Sequence, residues 1–161
     1  MALERYLAIA GFALSVFFVA EIITLFNFMA NPSGNLEFGF EAAPKIFQFI
    51  SLSIAPAIIL FSVSFVISKR YGSKINGALI ISAGVIVLAG MIFSYTMIDD
   101  IQEKLIDSTV EITPLIFIVA SFPIIFIGMR LLKTRPRKPK KKLYRRRFLN
   151  AHFFTFIYIL I

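Results

Sequence analysis

Apolar residues in this chain gather into four long runs, without the alternation of a strand or the one-sided stripe of a surface helix. Positions 46–68 hold 23 residues with no formal charge, 75–98 hold 24, and 112–129 hold 18. A further run at 6–30 is as long but contains Glu21. A bilayer core of roughly 30 Å takes about 20 residues of helix. Each run therefore predicts a transmembrane helix, over about 6–30, 46–68, 75–98 and 112–131. Lipid offers backbone groups no water to bond, and a helix satisfies them within its own segment. The first run has a weak basic start (Glu4 beside Arg5), has no Ala-x-Ala site after its apolar core and exits through Asn31-Pro32-Ser33-Gly34. It reads as a retained span and not as a cleaved leader.

Composition narrows the class further. In 161 residues, 58% are hydrophobic and 16% charged, more apolar surface than so small a core could hide from water. The chain has no cysteine, which excludes disulfides, thiolate metal sites and thiol redox chemistry.

The charges are segregated by position. Lys69, Arg70 and Lys74 separate the second and third runs, and Arg130 to Arg147 follow the fourth with eleven bases and no acid. With Arg5, fifteen of the seventeen bases fall on one side. The alternate connections hold Glu37, Glu41, Asp99, Asp100, Glu103, Asp107 and Glu111 against Lys45 and Lys104. Basic residues of short loops stay in the cytoplasm, so both termini are expected inside, in a multi-pass protein of the cell membrane. Tyr6, Tyr71 and Tyr95 fall near span ends, where amphipathic rings are favoured.

The expected fold is all-α: an antiparallel bundle of four transmembrane helices over residues 1–132, a basic linker over 133–147 and a short apolar C-terminal helix over 148–161. Pro136 and Pro139 oppose a continuous helix through the linker. Its Arg135, Arg137, Lys138, Lys140, Lys141, Lys142, Arg145, Arg146 and Arg147 hold the tail inside and suit anionic lipid head groups, each adding about 1 kcal/mol. A tethered tail with no folded reading surface gives no reason to expect nucleic acid as a partner. Residues 148–161 would make a helix of about 21 Å, short for a span, which dips into the leaflet, rests on a partner protein or crosses at a tilt. His152 is the one histidine and cannot build a metal site alone.

Glu21 is the one formally charged residue within a run. Charged residues inside a membrane are costly and mark functional sites by default. It lies about 13 Å below the outer end of the first helix, at 1.5 Å per residue. Pro56, Gly90 and Pro123 lie at similar depth, as do the hydroxyls of Ser53, Ser94 and Ser121. Each proline frees the carbonyl one turn earlier, that of Leu52 or Val119. These residues suggest a polar layer closing Glu21 against kinked second and fourth helices, serving either to fix packing, to hold a proton or cation, or to meet a partner subunit.

Small residues four apart suggest close helix contacts: Gly11 with Ser15, Ser51 with Ala55, Ser53 with Ala57, and Ala78 with Ser82. The third helix adds Ala83, Gly84, Ala89 and Gly90, which makes it the candidate for the bundle centre. Beyond it, Asp99, Glu103 and Asp107 would line one face of an extended helix, with Ile98, Ile101 and Leu105 on the other.

No phosphate loop, nucleophile elbow, zinc-protease motif or paired catalytic carboxylates occur, so neither catalysis nor a cofactor or metal is expected of this chain. The first expectation is a non-catalytic accessory or structural subunit of a larger membrane complex, for example an energy-converting or oxidase assembly. The alternatives are a small homo-oligomeric transporter or channel using Glu21, and a membrane organiser that binds anionic lipid through its tail.

Overall fold

The computed structural model describes residues 3–31, 41–69, 73–101 and 105–133. These form four long helices: α1 (Leu3–Ala30), α2 (Ala42–Ser68), α3 (Lys74–Thr96) and α4 (Ser108–Lys133). Among the described residues there is no strand. All four are long and apolar enough to cross a membrane. The basic tail and the apolar segment 148–161 lie outside the described residues.

Local chemistry sets the helix ends. Ser73 caps α3, its hydroxyl accepting from the Asn76 N–H at 3.3 Å. Asp107 precedes α4, and its Oδ1 accepts the Ser108 N–H at 2.8 Å. Each cap satisfies a donor with no partner inside its helix. Glu41 precedes α2, and Pro44 sits in the first turn, where a missing N–H costs nothing.

Within α2, residues Ile50–Ile54 form a π turn, and the Ala55 N–H reaches back to the Ile50 carbonyl. Pro56 follows at once and has no hydrogen to give Leu52. The ladder takes up one extra residue just before the proline, so the helix carries a π bulge here.

The helices form a ring in the order α2–α1–α3–α4, with the first part of α2 returning to α4 at the acidic end. The centre is α3: 44% of its most apolar window is buried, against 22% for α4. Gly77 and Gly128 let α3 and α4 touch backbone to backbone, since a Cβ on Gly128 would lie 2.9 Å from the Ile81 nitrogen. Close approach through small residues is how helices gain contact energy in lipid. Fully buried Phe18, Ile22, Phe26, Met29, Ile46 and Met91 fill the core. Phe18 crosses the ring to meet Phe117, edge on, with centroids 4.8 Å apart. Toward the basic end α2 and α4 part around a small apolar groove of about 140 Å³ that includes Phe61, Phe65, Ile80 and Ile124.

The expected extension of α3 into an acidic-faced helix is not found. α3 ends at Thr96, a 3-10 turn spans Ile98–Asp100, and Ile101 takes an extended conformation. Ile101 is buried against the core, with Ile98 and Leu105 packed beside it. Burying these apolar side chains turns the chain back over the bundle, so Asp99 and Asp107 do not share a helix face.

Candidate functional site

The charged residue deepest in a span is the natural starting point. Glu21 lies on α1, nine residues before its Ala30 end, or about 13 Å along the axis. It is half-buried, neither sealed in the core nor fully on the surface. Ser53, fully buried on the π turn, donates its hydroxyl hydrogen to Glu21 Oε2 at 2.6 Å. The bulge places Ser53 in the α1–α2 seam. Among the described residues Ser53 is the one hydrogen-bond partner of this carboxyl.

The rest of the carboxyl opens sideways. Glu21 lines a notch of about 410 Å³ with Phe17, Ala20, Thr24, Leu25, Phe28 and Phe49. The notch faces out from the bundle, since Phe17, Ala20, Thr24 and Phe28 are all exposed. The Thr24 hydroxyl is spent on the Ala20 carbonyl of its own helix, at 2.7 Å. Glu21 is therefore the one group here that offers free polar valence to whatever lies beside α1.

The remaining residues expected in the polar layer are dispersed. Ser94 donates to the Gly90 carbonyl at 2.9 Å and Ser121 to the Ile118 carbonyl at 2.6 Å, each within its own helix. Gly90 meets Val19 of α1, two residues from Glu21. Pro56 is half-buried beside the π turn, and Pro123 is exposed on the outer side of α4, away from the carboxyl. Hydroxyls that can bond their own helix have no need of a distant carboxyl, so the layer reduces to the Glu21–Ser53 pair. The lipid-contact residues Arg135 to Arg147 lie outside the described residues.

No family model, curated protein or solved structure matches this chain. Among the described residues no three His, Cys, Asp or Glu side chains are grouped to hold a metal ion.

A second polar contact went unnoticed in the sequence. Near the basic end the Asn76 amide nitrogen donates to Ser68 Oγ at 2.7 Å, with both residues buried. Asn76 Oδ1 has no partner. An asparagine two residues inside an apolar run was the available signal. Nearby, Ser64 donates to the Glu4 backbone carbonyl at 2.8 Å, tying α2 to the start of α1. These contacts join helices and have no opening beside them comparable to the notch at Glu21.

Proposed function

We propose that this protein is a non-catalytic structural subunit of a larger assembly in the cell membrane, with its termini and basic tail in the cytoplasm. The observation that carries this reading is the sideways opening of Glu21. A carboxyl on the lateral face of a span lies beside acyl chains, which can neither donate a hydrogen nor neutralise a charge. Such a group persists at a lateral surface when another protein covers it. Bias of the bases to one end supports the orientation.

A transport role has less support. The bundle interior is filled by fully buried apolar side chains such as Phe18, Ile22, Phe26 and Met91, and Glu21 opens outward from it. The buried Ser15, Ser94, Thr113 and Ser121 each give their hydroxyl hydrogen to a carbonyl of their own helix.

Extraction of native membranes in a mild detergent tests the reading. The protein is expected to migrate with other chains in one particle well above its own 18.2 kDa. Recovery solely as a monomer or a pure homo-oligomer would overturn the proposal.

A further inference from the structure

The subunit reading leaves open what covers the notch, and the chemistry of the walls narrows it. The occupant must bring something to Glu21 Oε1, because Ser53 serves Oε2 and no other described group reaches the carboxyl. It must also be slim enough to lie along α1. Ala10, Ala13, Ala20 and Thr24 are all on the exposed side of α1, where a neighbouring helix can approach closely. Bulky Tyr6, Ile9, Val16, Phe17 and Phe28 are exposed on the same helix, so the close approach is confined to the strip of small residues beside Glu21.

Three occupants can be compared. Lipid supplies apolar chains at this depth, and its head groups lie near the helix ends. A second copy of this chain, related by an axis along the membrane normal, brings only a second carboxyl to the same level; the pair can share one hydrogen but gains no base. Among the described residues the copy brings no base to this level either. Lys45 of α2 is eight residues from Ser53, about 12 Å along the axis, and the other described bases are at or beyond the opposite helix ends. A different chain with a cation in its span has neither defect, since a carboxylate and a base pair favourably where water is scarce.

We propose that the Glu21 notch docks a transmembrane helix of a different subunit, which sets a lysine or arginine side chain against the free carboxyl oxygen. This assignment rests on the subunit reading above and adds the chemistry of the partner. The small side chains beside Glu21 bring the two backbones close, and the aromatic walls Phe17, Phe28 and Phe49 shield the ion pair from lipid. Removing one partner strands the other charge in hydrocarbon, so the contact is specific to that subunit.

The test uses the full chain in native membranes with a photo-cross-linking amino acid at Thr24, one turn from Glu21, and a control at Val119 on α4. Mass spectrometry of the adduct identifies the linked segment. The expected product joins Thr24 to a span of another chain, with Lys or Arg within one turn of the linked residue. Glu21→Ala and Glu21→Lys should each lower the yield roughly tenfold or more. Changing the partner's base to Glu should restore the adduct in the Glu21→Lys background. Glu21→Ala adds no charge, and an unchanged helical spectrum would confirm that it still folds. Adducts with lipid alone, with a second copy, or with a span lacking a base would overturn the assignment, as would full yield from Glu21→Ala. If the protein still extracts in a larger particle, such a result removes the docking assignment and leaves the subunit reading standing. Extraction of the protein alone removes both.

Discussion

A Cβ built on Gly90 would lie 2.2 Å from Cγ1 of Val19, so α1 and α3 meet where there is no room for a methyl group. Val19 is β-branched and nearly fully buried, with little freedom to swing aside.

Gly90→Ala should therefore destabilise the bundle by about 1–3 kcal/mol, despite alanine's better helix propensity. Ala89→Leu, one residue away on the exposed side, should change stability by less than about 0.5 kcal/mol. Reversible unfolding in mixed micelles reads both. Equal effects at the two positions would show that the seam is looser than described.

Gly90 also shows how far the sequence could be read. Length and apolarity placed all four helices, since a bilayer leaves few alternatives for runs of this kind. α1, α2 and α4 begin three or four residues before the expected starts, at Leu3, Ala42 and Ser108, whereas α3 ends two residues short of the expected end, at Thr96. The abundance of small residues pointed to the third helix as the centre. It identified the interface in part: Ala83, Gly84 and Gly90 are buried, with Gly84 against Ile125 of α4 and Gly90 against Val19 of α1. Ala78, Ser82 and Ala89 face outward, however, and the contact of Gly77 with Gly128 was not among the expected ones. A one-residue change of register moves a side chain 100° around a helix, and composition does not encode that angle. Glu21 was legible as the exceptional residue and Ser53 as a candidate partner at its depth. The π turn that seats Ser53 was not, since a proline in an apolar helix is compatible with a kink or a bulge.

The Glu21–Ser53 hydrogen bond sets the second expectation. Ser53→Ala should cost about 0.6–1.7 kcal/mol, the usual worth of a hydroxyl bond between membrane helices. Glu21→Gln retains a side-chain oxygen that can accept from Ser53, so it should cost less in the isolated chain. Unfolding of the two single variants and the double variant measures the coupling. A coupling near zero would mean that the pair adds nothing to folding.

Asn76 and Ser68 should behave asymmetrically. Ser68→Ala strands a buried amide and should cost about 1–3 kcal/mol. Adding Asn76→Leu removes the stranded group and should recover part of that loss. Additive losses in the double variant would mean that the amide finds another partner once Ser68 is gone.

Orientation is open to direct labelling because the chain has no cysteine of its own. Asp99→Cys and Lys133→Cys lie at opposite ends and both positions are exposed. An impermeant maleimide should label the first on intact cells and the second only after permeabilisation. The reverse pattern would invert the proposed topology.

Coverage of the Glu21 face can be read with a nitroxide spin label at Thr24→Cys. Its relaxation by dissolved oxygen, which concentrates among lipid chains, is compared between the extracted assembly and the chain alone, both in bilayers. A severalfold loss of oxygen accessibility is expected at Thr24 in the assembly, with no comparable loss for a label at Val119→Cys. Equal, lipid-like accessibility at Thr24 in both samples would contradict it.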